Sequence, residues 1–131
     1  MISREKVVID TNILVSALWS ENGNSATILK MIPDDIVPVL NDSIVGEYTE
    51  VLNREKFAFS AEKRERLLKT INEFGETVNP EKSDTPMSDE ADRIFYDTAI
   101  SSGSTLITGN KKDYPDESFI MTAADFLRKQ V

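Results

Sequence analysis

The run Val7-Val8-Ile9, ending on Asp10-Thr11-Asn12, limits the possible folds more than any other stretch of the chain. Three consecutive β-favouring apolar residues leave no polar face. Such a segment reads as a strand covered on both sides, which is how strands of parallel sheets look. A strand over residues 6–10 then puts the Asp10 carboxylate where the chain leaves the core, at the strand's carboxyl end. Ligands of open α/β sheets bind at that edge. The competing reading makes Asp10 or Asn12 a cap for a helix expected over residues 13–19.

The remainder alternates in the same way. Strands are expected at residues 36–40, 77–79, 105–108 and 118–121, and helices at 25–32, from Ser43 as N-cap, at 61–74 and at 90–102. A last helix is expected behind Thr122, with Asp125 at the capping-box position. Pro38 inside the second strand cannot donate to a ladder, so it marks an unusual or locally unpaired position. Residues 80–88 read as a polar loop bounded by proline. Strands alternating with helices imply right-handed crossovers and a mainly parallel sheet. With 131 residues, one domain is expected.

What the chain lacks narrows its chemistry. It has no Cys and no His, which removes disulfides, Cys/His zinc sites, thiol nucleophiles and His-based proton transfer. Any metal must be held by oxygen ligands, which favours Mg²⁺ or Mn²⁺. With 23 acidic and 15 basic residues the net charge is −8, against a protein that grips nucleic acid by bulk attraction. It leaves open one that reaches phosphate through bound cations. No apolar run is long enough for a membrane span and no leader pattern precedes the first strand, so a cytoplasmic location is expected.

Two acids interrupt apolar helix stripes. Glu47 shares a face with Ile44 and Val51, and Asp92 with Phe95, Tyr96 and Ala99. Both stand near helix starts, where the helix dipole offers a purely structural compensation. An inward-facing acid is costly unless its charge is met. In a right-handed α/β wind, each strand ends where the following helix begins. Asp10, Glu47, Asp92 and Asn110 therefore share one edge, and three acids crowded there repel until a proton or a cation relieves them.

These residues resemble the motifs of PIN-domain nucleases. Val8-Ile9-Asp10-Thr11-Asn12 is similar to the opening motif and Glu47-Tyr48-Thr49-Glu50-Val51-Leu52 to the second acidic motif. Asp92 to Ala99, followed by Leu106-Ile107-Thr108-Gly109-Asn110, is similar to the third and fourth. The likeness runs through nearly the whole chain and is strongest to bacterial members assigned as toxins of toxin–antitoxin systems. It implies a three-layer α/β/α domain with strand order 3-2-1-4-5. It also implies Mg²⁺- or Mn²⁺-dependent hydrolysis of single-stranded RNA, with Asp10, Glu47 and Asp92 as catalytic metal ligands. An antitoxin partner and a homodimer belong to the same expectation.

Many members of that family carry Asp where this chain has Asn110, which ligates without adding charge. Asp113 and Asp97 are both open as substitutes. Asn12, with Thr11, is a candidate to orient a ligand or the turn, and Thr108 to bond phosphate or Asp10. Lys111, Lys112, Arg54 and Lys56 are candidate contacts to RNA, although surface cations usually signify nothing specific. An aspartyl-phosphate phosphatase is set aside, since it needs an acid two residues after the first and here that position is Asn12. The remaining alternative is a non-catalytic PIN-like interaction module with a degenerate metal site, which the neutral Asn110 favours.

Overall fold

The computed structural model describes residues 4–130. Its strands are β1 (Glu5–Ile9), β2 (Ile36–Leu40), β3 (Glu76–Thr77), β4 (Thr105–Ile107) and β5 (Ile120–Met121). They form one sheet in the order β3-β2-β1-β4-β5, with every pairing parallel. The helices are α1 (Thr11–Trp19), α2 (Asn24–Lys30), α3 (Asp42–Leu52), α4 (Ala61–Phe74), α5 (Arg93–Ser102) and α6 (Ala123–Lys129). They cover both faces of the sheet, giving the three-layer architecture and strand order expected from the sequence. No helix among the described residues is long and apolar enough to cross a membrane. The expectation that Met1 leads straight into the first strand concerns, for residues 1–3, a stretch outside the described residues.

β1 is central because its side chains are apolar on both faces. Val7, Val8 and Ile9 are each 0 % exposed, and burying one such side chain contributes about 1.5–3 kcal/mol as an upper estimate. From β1 the chain moves out to β2 and β3, then returns to β4 and β5 on the other side. The carboxyl ends of β1 and β4 therefore flank the point where the winding reverses, the usual ligand crevice of such sheets. Ile9 pairs with Ile107, and the Asp10 N–H extends that ladder to the Ile107 carbonyl at 2.9 Å.

Pro38 stands opposite Val7 on the β1 side, but pairing with β3 starts only at Val39. Next to Pro38 the outer side of β2 is still an edge, where prolines of sheets are tolerated.

Several boundaries differ from the sequence reading. α1 begins at Thr11 rather than at residue 13. Asp10 occupies its N-cap position, yet its side chain makes no cap hydrogen bond. Residues 90–92 form a separate 3₁₀ turn ahead of α5, and β3 starts at Glu76. Thr122 caps α6 by accepting the Asp125 N–H at 3.1 Å, but the Asp125 carboxylate pairs with Arg128 instead of closing a capping box.

The cap of α3 is Asn41, not Ser43, and it ties three elements together. Its Oδ1 accepts the Ile44 N–H at 3.1 Å, while its Nδ2 donates to the Val78 carbonyl and to Thr98 Oγ1, both at 3.0 Å. Asn41 is 3 % exposed, so removing its side chain strands buried partners as well as uncapping the helix. Asn41→Ala is expected to cost about 2–3 kcal/mol, a lost cap plus lost buried hydrogen bonds. The midpoint of urea unfolding reads this; a loss below about 0.5 kcal/mol would mean water replaces the amide freely.

Candidate active site

The site is built around a carboxylate that the fold buries. Asp10 is 7 % exposed, and a charge in that position must be hydrogen-bonded. Thr108 Oγ1 donates to Asp10 Oδ2 at 2.7 Å, Tyr114 OH at 3.0 Å and Asn12 Nδ2 at 3.3 Å. All three donors meet the same oxygen. Among the described residues no side-chain donor reaches Oδ1.

The turn after β4 is folded around this group. Thr108 Oγ1 accepts the Asn110 N–H at 3.1 Å while donating to Asp10, and Asn12 Oδ1 accepts the Gly109 N–H at 2.9 Å. A side chain at Gly109 would bring its Cβ to 3.2 Å from Asn12 Oδ1, closer than ordinary contact. Asn12 and Thr108 thus hold Asp10 against the turn.

Glu47 arrives on α3, whose inward face includes Ile44, Tyr48 and Leu52. Tyr48 OH donates to the Ile9 carbonyl at 2.6 Å, which locks α3 against the end of β1. The Thr11 hydroxyl donates to the half-buried Glu47 carboxylate, so Glu47 is held by the residue next to Asp10. Burial raises the affinity of both carboxyls for protons, and the Asp10 charge adds to the effect on Glu47.

Asp92 ends the 3₁₀ turn before α5 and has no hydrogen-bond donor among the described residues. Burial, then the charges of Asp10, Asp89, Asp113 and Glu47, push its carboxyl up to about 7. Asn110 is exposed at the rim and donates through Nδ2 to Asp113 Oδ2 at 2.8 Å. Asp113 therefore brings negative charge to Asp92 beside the neutral Asn110.

Asp97 faces a different neighbourhood. It is 4 % exposed, its Oδ2 accepts the Ser83 N–H at 3.0 Å, and its Oδ1 has no partner among the described residues. It pins the loop of residues 80–88, helped by Arg93 on the Ser83 carbonyl at 2.8 Å. Of the cations singled out in the sequence, Arg54 pairs with Glu50 at 2.8 Å and Lys56 lies over the Phe57 ring at 5.1 Å. Lys111 and Lys112 are exposed in the 3₁₀ turn that ends at Asp113.

Tyr114 and the Thr11–Glu47 contact are absent from the sequence reading. Nothing local in the sequence announces either one. Tyr114 lies 104 residues from Asp10 and Glu47 lies 36 from Thr11, so only the tertiary fold joins them.

All donors at this edge are oxygens of Asp, Glu, Asn, Thr and Tyr, which is chemistry suited to Mg²⁺ or Mn²⁺. No three acidic side chains among the described residues stand close enough to enclose an ion unaided. Mg²⁺ keeps several waters and needs only one or two direct carboxylates, so the donor set fits it.

The crowding has a sign that stability measurements can read. The folded-state pKa of Asp92, about 7, lies above the ordinary 3.8. Its contribution is therefore unfavourable once ionised: absent below 3.8, it grows as pH rises and is complete above about 7. In EDTA at pH 8, Asp92→Asn is expected to melt above wild type, by about 1 kcal/mol once solvent screening is allowed for. The gain should vanish toward pH 4. A variant less stable than wild type at pH 8 would show that Asp92 is a structural cap.

Known proteins share the sequence pattern and the fold of this chain. An uncharacterized protein of Methanocaldococcus jannaschii is 34 % identical over 110 residues, covering 81 % of this chain and 71 % of the relative. Among solved structures, VapBC2 from Rickettsia felis, bound to a DNA fragment from its promoter, contains a similar fold. The TM-score is 0.55 at 14 % identity, over 89 % of this chain and 96 % of that one. The sequence profile described as PIN domain matches residues 6–112, spanning every strand but β5 and all the site residues except Asp113 and Tyr114. This chain belongs to the PIN-domain family.

Proposed function

We propose that this protein is a metal-dependent endoribonuclease that hydrolyses single-stranded RNA, the toxin component of a toxin–antitoxin pair. The observation that carries the reading is the acid-crowded edge itself. Asp10, Asp89, Asp113 and Glu47 all bring negative charge to Asp92, and burial together with these charges drives its carboxyl up to about 7. Membership of the PIN family supports a nuclease, and the fold shared with a toxin–antitoxin complex supports an antitoxin as protein partner. The homodimer and the cytoplasmic location belong to the same proposal.

Asp10, Glu47 and Asp92 would hold Mg²⁺ or Mn²⁺, with Asn110 at the rim and Asp113 as the fourth carboxylate. Bound there, the ion would polarise the phosphodiester and activate water, chemistry otherwise missing from a chain without His. The protein's own part is positioning. Thr108, Tyr114 and Asn12 engage Asp10 Oδ2, so the carboxylate cannot rotate freely. Thr11 fixes Glu47 in the same way. Such second-layer hydrogen bonds keep ligands oriented and typically matter 10- to 100-fold.

Asn110 favours the alternative of a non-catalytic interaction module. Against that stands Asp113, which supplies beside Asn110 the charge that the amide lacks. Asp97, engaged with Ser83, is a structural residue in this reading.

Three outcomes are expected. With Mn²⁺, wild type cuts single-stranded RNA and Asp10→Asn loses several kcal/mol of transition-state stabilisation, a loss of about a hundredfold or more in kcat/KM. Asp113→Asn loses about tenfold or more, while Asp97→Asn, assayed below its melting temperature, stays within about twofold. Mn²⁺ at a hundredfold excess over its Kd stabilises wild type by roughly 2.7 kcal/mol and Asp10→Asn by less. A wild type that neither cuts RNA nor responds to Mn²⁺ is the interaction module instead. Equal losses at Asp97 and Asp113 would overturn the choice of fourth ligand.

A further inference from the structure

A groove of about 360 Å³ lies between α1, α2 and α4 and shares no residue with the acid cluster. Asp10 caps the start of α1, whereas the groove takes the last turn of that helix. From Asp10 to Leu18 the helix advances about 12 Å, so the two places are separate. Leu18, Leu29 and Leu67 form the groove's floor, half-buried because one side packs on the core and the other stays open. Next to Leu18, Trp19 is 64 % exposed, with its ring centroid 5.3 Å from Phe57 and 6.0 Å from Phe59 in edge-on contacts. Apolar surface of this kind, bordered by charge and anchored by an exposed tryptophan, is where partners pack.

The rim has the opposite sign to the chain. Lys30, Lys63 and Arg66 border the groove against one acid, Glu21, in a protein of net charge −8. The grooves along β5 and α6 and beside α5 instead carry as many acids as cations. Lys30 Nζ donates to the Glu21 carbonyl at 3.1 Å and has no carboxylate partner among the described residues. Lys63 meets Glu21 at 3.4 Å and Arg66 meets Glu62 at 2.5 Å. Both pairs are exposed, where ion pairs contribute little and exchange readily for other carboxylates.

We propose that this groove docks a helix of a protein partner that carries leucine-like side chains on one face and carboxylates along its flanks. An apolar groove between helices accepts side chains spaced i, i+3, i+4 and i+7, which an amphipathic helix presents. Carboxylates beside that stripe meet Lys30, Lys63 and Arg66, whereas a basic helix meets the same cations at a cost. A nucleic acid would lay polar sugar and phosphate over the leucine floor and leave that surface unmatched. The docking site stands apart from the nuclease reading, because it binds whether or not the acid cluster cuts.

Trp19 is the chain's one tryptophan and stands at the groove's edge, so its emission reports occupancy. The probe is a helical peptide of about 18 residues, without aromatics, with Leu along one stripe and Glu beside it. One control peptide has Lys in place of Glu, and another has Ser in place of Leu. A saturable change in Trp19 emission is expected with the Leu/Glu peptide, at an affinity at least about tenfold above either control. K30E/R66E is expected to weaken binding about tenfold or more. The control of equal charge, K82E/R128E, at exposed positions outside the groove, stays within about twofold. Melting temperatures check folding, and K30Q/R66Q, expected to lose about threefold or more, stands in if the charge reversal unfolds the chain. No saturable change with the Leu/Glu peptide, equal binding of the Lys peptide, or equal weakening in both double variants overturns the assignment. Displacement of the peptide by single-stranded RNA, sensitive to K30E/R66E, overturns it as well and makes the groove a nucleic-acid surface.

Discussion

The structure depends on how one buried carboxylate is held. Asp10 lies at the end of a strand whose preceding residues are fully buried, at the point where the sheet reverses its winding. Burial alone would drive it neutral, since an ionised carboxylate away from water is costly unless hydrogen-bonded. Thr108, Tyr114 and Asn12 supply those hydrogen bonds from three places in the chain. Each does so only when the turn after β4, the following 3₁₀ turn and the start of α1 are in place. The fold and the state of this one group therefore depend on each other.

The same bonds leave the rest of the edge electrostatically unfinished. Glu47 has Thr11, and Asp113 has Asn110, but Asp92 has neighbours of its own sign and no donor among the described residues. A fold that only needed stability would place a neutral residue there. Retaining an acid where it is unfavourable fits a site whose missing partner is a cation. The Asn110–Asp113 pair keeps the charge of the edge although the residue after Gly109 is an amide.

Much of this was legible in the sequence because it follows from local pattern. The Val7-Val8-Ile9 run marks a doubly covered strand, and alternation of strand and helix leads to a parallel sheet with all following helix starts on one edge. Acids interrupting apolar stripes at residues 47 and 92 stand out for the same reason. What the sequence hid is tertiary. In Asn41-Asp42-Ser43 three residues have capping chemistry, and Asn41 is selected by Val78 and Thr98, which lie 37 and 57 residues away. Tyr114 looks like any loop aromatic until β4 brings it over Asp10. The choice between Asp97 and Asp113 was open because helical phase does not tell which loop packs over a helix. Asp97 meets the segment around Ser83, while Asp113 faces Asp92.

The central claim is that these acids repel one another until a divalent cation joins them, and proton release on metal binding tests it most directly. Burial and the neighbouring charges push the Asp92 carboxyl up to about 7, and a cation that draws in the charged form must expel any proton held there. Titrating Mn²⁺ into the protein by calorimetry, in two buffers of different ionisation enthalpy, counts the protons released. Saturable binding with net proton release is expected for wild type near pH 7, and less release in Asp92→Asn. No saturable Mn²⁺ binding, or binding with no proton released in wild type, would contradict it.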